Sequence, residues 1–151
     1  MENERRNIKS IPEDYHTVTP IMMVNNASGT IDFLKQTFDA KERYRLTDPN
    51  GDIMHSEVMI GDSVLMLADS MQRAPMPGSL YVYTENVDDT YNKALQAGGI
   101  SIMPPENQFY GDRSGGVKDP GGNIWWIATH VEDLSPEEMK KREENYLKQK
   151  H

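Results

Sequence analysis

Apolar and polar positions alternate along this chain in two rhythms, and the order of the rhythms occurs twice. Residues 19–24 alternate as a strand does, and residues 27–38 then place Ala27, Ile31, Leu34 and Phe38 on one helical face. Residues 79–84 and 87–97 repeat this, with Val87, Tyr91, Ala94 and Leu95 at helical spacing. Extended runs follow each helix and close on a turn. In the first half these are 54–60, Gly61-Asp62 and 63–67; in the second they are 113–118, Asp119-Pro120-Gly121-Gly122 and 123–128. Val24 and Thr84, Leu34 and Ala94, and Met66 and Trp126 are each 60 residues apart. The expectation is an α+β domain of two tandem βαβββ modules, their sheets curving around a central cleft, with a C-terminal helix.

Punctuation residues set the boundaries. Module 1 runs over about 15–69, a linker containing Pro75 and Pro77 over 70–78, and module 2 over about 79–131, all within one domain of 1–151. Residues 1–14 read as a polar arm or strap. Asn26 and Asn86 are of the type that caps a first helical turn, and Gly98-Gly99 stops the second helix. In the tail (132–151), Ser135-Pro136 followed by Glu138 announces a mostly charged helix in which Met139, Tyr146 and Leu147 are the few apolar contacts.

Strand alternation separates what packs under a helix from what faces the other way. Pro20, Met22 and Val24 fall on one face and Thr19, Ile21 and Met23 on the other; Leu80, Val82 and Thr84 are opposed to Ser79, Tyr81 and Tyr83. The aliphatic pair Leu80/Val82 belongs under a helix, whereas tyrosines suit a wet cavity. Trp125 and Trp126 are adjacent and face opposite ways: by the repeat Trp125 joins the core with Leu65, and Trp126 faces the cavity with Met66. Met23, Met66, Tyr81, Tyr83 and Trp126 are therefore candidate ligand contacts, the alternative for Trp126 being that it fills its cavity shut.

Composition narrows the chemistry. The 151 residues contain no cysteine, which excludes disulfides and thiolate nucleophiles, and their net charge of −8 disfavours a phosphate-backbone partner. No run reaches a membrane-spanning length and the first residues are too polar for a signal peptide, so a cytoplasmic protein without nucleic-acid or membrane partners is expected.

The duplicated pattern, Ile31-Asp32-Phe33, and Gly111-Asp112-Arg113 followed by Asp119-Pro120-Gly121-Gly122-Asn123-Ile124-Trp125 resemble the vicinal oxygen chelate superfamily of glyoxalases, bleomycin-resistance proteins and extradiol dioxygenases. Thr19-Pro20, His55-Ser56-Glu57, residues 61–66 and Ala128-Thr129-His130 resemble its PhnB-like branch. The resemblance covers about residues 17–130. Carried over from it, the metal-ligand positions are Thr19, Met66, Ser79 and Trp126, none of them histidine or carboxylate. The expectation is a chain without the familial metal and without a cofactor. It also implies a homodimer.

His55 and Glu57 share a strand face. They are a structural pair, ligand contacts, or an acid–base pair, since histidine titrates near neutrality. Arg113, roughly matching His55 across the repeat, could clamp a carboxylate or pair with Asp112 or Glu57. Gln108, Phe109 and Tyr110 read as a loop opened by Pro104-Pro105, with Tyr110 on a pocket rim. His16 and His130 lie near the ends of the repeat and could serve an unfamiliar metal site or stand on the surface. The leading expectation is a protein that binds a small, planar organic molecule in a metal-free cleft. The alternatives are a metal-independent lyase, isomerase or hydrolase using His55 and Glu57, and a metal-dependent glyoxalase or dioxygenase.

Overall fold

A computed structural model describes residues 8–71 and 73–150. Half of the expected arm, residues 1–7, lies outside the described residues. The chain divides into two compact units between Met76 and Pro77. The first contains β1 (Ile21–Val24), α1 (Ala27–Phe38), β2 (Lys41–Thr47), β3 (Ile53–Ile60) and β4 (Ser63–Asp69). The second contains β5 (Ser79–Tyr83), α2 (Val87–Gln96), β6 (Ile100–Asn107), β7 (Asp112–Lys118), β8 (Ile124–His130) and then α3 (Pro136–Lys150). Each unit is one four-stranded mixed sheet. The orders are β1-β4-β3-β2 and β5-β8-β7-β6, with the first pair parallel and the other pairs antiparallel. The fold is α+β, two βαβββ modules and a C-terminal helix, with no closed barrel among the described residues.

Helix starts follow from side chains that satisfy orphan amides. Asn26 accepts from Gly29 N–H, Asn86 from Asp89 N–H and Ser135 from Glu138 N–H. Each of the first two helices is also tied to its own sheet. Asp69 accepts from Ala27 N–H at 2.9 Å and, through its other oxygen, from Ile53 N–H at 2.7 Å. At the equivalent position in the second unit, Thr129 accepts from Val87 N–H and donates to Thr84 C=O, 2.9 Å each.

Alternation decides burial as the sequence implies. Met22 and Val24 are buried while Ile21 is 58% exposed. Ile31, Phe33 and Leu34 of α1 are buried, as are Val58, Leu65 and Leu67 of the sheet. In the second unit Val87, Tyr91 and Ala94 of α2 and Val117, Trp125 and Ile127 of the sheet are buried. The Trp125 indole donates to Asp119 at 2.7 Å, and that carboxylate also organises the β7–β8 turn by accepting from Gly121 N–H, Asn123 N–H and the Asn123 amide. Asp119 thus satisfies the polar end of the largest core side chain while shaping the turn that delivers it.

Two local expectations change. Pro104 and Pro105 lie within β6 and do not open a loop; β6 is an edge strand whose pairing shifts register between Met103 and Glu106, where a residue without an N–H is tolerated. Arg113 also does not match His55. Met66 pairs with Glu57 whereas its repeat counterpart Trp126 pairs with Gly116, so the equivalent of His55 is Ser114 and Arg113 falls on the opposite sheet face. One residue of offset between the two β-hairpins reverses the face.

Candidate functional site

On the second sheet, register sets the side chains opposite α2 in rows. Tyr81, Trp126 and Gly116 form one row, and Tyr83, Ala128 and Ser114 the next. An added Cβ on Gly116 would lie 2.6 Å from Trp126 Cζ3 and 2.8 Å from Cε3, so the indole lies over bare backbone. The half-buried Trp126 therefore rests against Gly116 of β7, with Tyr81 beside it on β5.

Beyond this aromatic floor, Asp112 of β7 is 4% exposed and stands opposite His130 of β8. Its Oδ2 accepts from the Tyr81 hydroxyl at 2.8 Å and the Tyr83 hydroxyl at 2.9 Å, and its Oδ1 contacts His130 Nδ1 at 2.8 Å. The other ring nitrogen of His130 is 2.7 Å from Asp133. A neutral imidazole has one N–H, and two ionised carboxylates supply no proton, so this geometry calls for the imidazolium. Hydrogen bonds to Asp112 and then Asp133 raise the His130 pKa. Burial pushes the Asp112 carboxyl up, but the donors His130, Tyr81 and Tyr83 outweigh it and hold it below the ordinary range. The Tyr81 phenol is pushed up by burial, by Tyr110 beside it and by Asp112, and that of Tyr83 by Asp112 above all. The two tyrosine rings meet edge to face at 5.3 Å.

Tyr110 reaches this cluster from the loop between β6 and β7. Phe109 packs on Tyr110 and on Tyr146 of α3, with centroids 5.3 and 4.6 Å apart. Arg142 of α3 donates to Phe109 C=O and grips Glu132 through both terminal nitrogens, at 3.1 and 2.9 Å. The expected solvated helix is thus fastened to the loop that carries Tyr110.

Arg113 is engaged elsewhere. Its Nε and Nη2 hold both oxygens of Asp88, in the first turn of α2, at 2.9 Å each, and its Nη1 is 3.3 Å from Asn107. The internal partner is Asp88 rather than Asp112 or Glu57. This fork is spent on the helix-covered side of the sheet, away from Tyr81 and Trp126.

On the first sheet, the face opposite α1 carries Ile21, Met66, Glu57 and Tyr44 in one row. Met23 pairs with Ala68 and His55 with Leu46 in the next. His55 Nε2 is 3.6 Å from Glu57 Oε1, and the His55 ring lies 6.1 Å from that of Tyr44. Residues before β1 cross this face. Ser10, Ile11, Pro12, Tyr15, His16 and Thr17, with Thr19, Glu57 and Met66, border an open recess of about 540 Å³. Burial and then the adjacent Glu57 push the Tyr15 phenol up to about 12, and the Arg43 guanidinium over its ring opposes them in part. His16 Nε2 is 2.9 Å from Asp62 C=O.

The profile of the Glyoxalase/Bleomycin resistance protein/Dioxygenase superfamily matches residues 15–127. The chain belongs to that superfamily. An uncharacterized protein of Mycobacterium bovis is 28% identical over 134 residues, covering 81% of this chain and 88% of that one. Among solved structures, the PhnB protein from Bacillus cereus has a TM-score of 0.64 at 20% identity, covering 76% of this chain and 99% of that one. TioX from Micromonospora sp. ML1 has a TM-score of 0.62 at 18% identity, covering 76% and 99%. At such identities the structural likeness is one of fold.

The superfamily's metal positions can be tested against the side chains present. Met66 and Trp126 occupy equivalent register positions, beside Ile21 and Tyr81. A thioether, an indole and the hydroxyls of Thr19 and Ser79 are a poor donor set for zinc, nickel, manganese or iron, which take imidazole and carboxylate. Among the described residues no three of His, Cys, Asp and Glu are grouped to hold a metal ion. The residues do not fit the familial metal, and no step is derived through it.

Asp112 is not among the expected site residues, and His130, expected at an unfamiliar metal site or on the surface, instead contacts Asp112 and Asp133. The available signal was the motif Gly111-Asp112-Arg113 facing Ala128-Thr129-His130 across the β7–β8 hairpin, two residues beyond where β8 was expected to end.

Proposed function

We propose that this member of the glyoxalase/bleomycin-resistance superfamily binds a small planar organic molecule on the face of its second sheet opposite α2. The observation that carries the reading is the Asp112 cluster: one buried carboxylate fixes two exposed tyrosines and a histidine beside a tryptophan packed against glycine. Such a surface offers polarizable ring faces at low entropic cost, because the side chains are already held. Tyr81, Tyr83, Tyr110 and Trp126 are the proposed contacts. Met23 and Met66 belong to the other sheet, and Arg113 is withdrawn by Asp88. The motifs shared with the PhnB-like branch support placing the chain there, and the exposed apolar residues Ile21 and Tyr44 support a homodimer.

The test is fluorescence titration with cationic, neutral and anionic tricyclic aromatics. Saturable quenching that Trp126→Ala abolishes supports the reading; quenching by none of them, or quenching that survives the substitution, contradicts it.

A second reading is supported by His55 and Glu57, 3.6 Å apart beside the recess under Tyr15. There His55 would serve as general base of a metal-independent lyase, isomerase or hydrolase, with Glu57 orienting it. Turnover that collapses in His55→Ala while binding persists would favour it over sequestration.

A further inference from the structure

The polar hydrogens of the Asp112 cluster point inward. Tyr81 and Tyr83 each give their single phenolic proton to Asp112 Oδ2, and His130 gives one N–H to Asp112 and the other to Asp133. Tyr110 lies against the Tyr81 hydroxyl, whose own proton goes to the carboxylate. Apart from the neutral indole N–H of Trp126 and the hydroxyl of Tyr110, what this cluster turns outward is phenolic oxygen and aromatic face. Tyr83, 61% exposed, is more exposed than Tyr81 at 43%.

We propose, resting on the reading of this face as a ligand site, that its ligand is a planar organic cation bearing N–H donors, of the class of amidiniums, guanidiniums and amino-substituted heteroaromatic cations. Three features converge on this. The outward lone pairs of Tyr81 and Tyr83 accept from N–H groups, and these two phenols have no proton to offer an anion. The ring faces of Tyr81, Tyr83 and Trp126 attract a cation through their quadrupoles. Asp112, His130 and Asp133 together carry a net negative charge, and at the register positions of this face the only lysine or arginine is Lys118, two rows from Tyr83. An anionic ligand of the same shape would set acceptor against acceptor, with its desolvation uncompensated.

The experiment pairs two probes with the same tricyclic skeleton and opposite polarity: proflavine, a diamino cation, and acridine-9-carboxylate. Both are titrated against the full-length wild-type chain, Trp126→Ala and Tyr83→Phe, by calorimetry at about 0.15 M salt, where long-range attraction to the acidic chain is screened. Proflavine is expected to bind the wild type at least about tenfold more tightly than the carboxylate. Tyr83→Phe, which keeps the ring and removes the oxygen, should weaken proflavine by about 3–10-fold and leave the carboxylate unchanged. Carboxylate binding as tight as that of proflavine and lost in Trp126→Ala overturns the inference about polarity while the site stands. Proflavine binding indifferent to Tyr83→Phe overturns the role given to the phenolic oxygen. Binding of neither probe, or binding that persists in Trp126→Ala, removes the site itself and the inference with it.

Discussion

Gly116 and Trp126 are partners across β7 and β8, and the indole occupies the space that a side chain at 116 would fill, with Cζ3 only 2.6 Å from where a Cβ would stand. The glycine leaves the room that the indole takes. Gly116→Ala should therefore tilt the ring outward, cost about 1–2 kcal/mol as a small overpacking change, and shift the tryptophan emission. Urea denaturation and an emission spectrum check both; an unchanged spectrum with unchanged stability would mean the ring is not seated there.

The adjacent tryptophans should respond differently to truncation. Trp125 is fully buried and hydrogen-bonded to Asp119, so Trp125→Ala should cost about 3–5 kcal/mol or more. Trp126 is only half-buried, and Trp126→Ala should cost about 1–2 kcal/mol, on the scale of its smaller buried area. Denaturation midpoints of the two variants decide the matter: equal, large losses would show that Trp126 plugs the fold.

Asp69→Ala tests the tie between α1 and its sheet. The substitution strips acceptors from the Ala27 and Ile53 amides together, and about 1–3 kcal/mol of stability should go with them. Asp69→Asn, which retains one acceptor oxygen, should lose less. Indifference to both would mean that water replaces the carboxylate without cost.

His130 makes stability depend on pH with a definite sign. Its folded pKa is raised above the ordinary 6.5, so its contribution is fully present below about pH 6.5 and is lost as pH rises through the raised value. Asp112, whose folded pKa is lowered, behaves oppositely: its contribution is present above the ordinary 3.8 and is lost as pH falls through the lowered value. Urea midpoints of wild type and His130→Gln should therefore converge from pH 6 to pH 9. A constant gap over that range would show that the imidazolium is not what holds the two carboxylates.

Much of this architecture is legible in the sequence because it rests on periodicity. The offset of 60 residues joins Met66 to Trp126 and Asp69 to Thr129, and alternation assigns Trp125 to the core and Tyr81 to the opposite face. What escapes is set by register and strand ends. Asp112 and His130 meet only because β7 begins at Asp112 and β8 runs on to His130, and no hydrophobic period marks those last polar residues. Arg113 changed faces through a one-residue difference between hairpins, which a repeat read at constant offset cannot register. Its partner Asp88 is 25 residues away on a helix, a pairing that exists only once α2 is laid on the sheet.

The central claim is that ligand is held on the second sheet by the Asp112 cluster. The most direct measurement is a two-dimensional amide and indole NMR titration of the labelled protein with proflavine. The account predicts saturable shifts at the Trp126 indole and at the amides of Tyr81, Tyr83, Asp112 and His130, with the buried Trp125 indole moving little. Shifts centred instead on His55, Glu57 and Met66 of the first sheet, or no saturable shift at all, would contradict it.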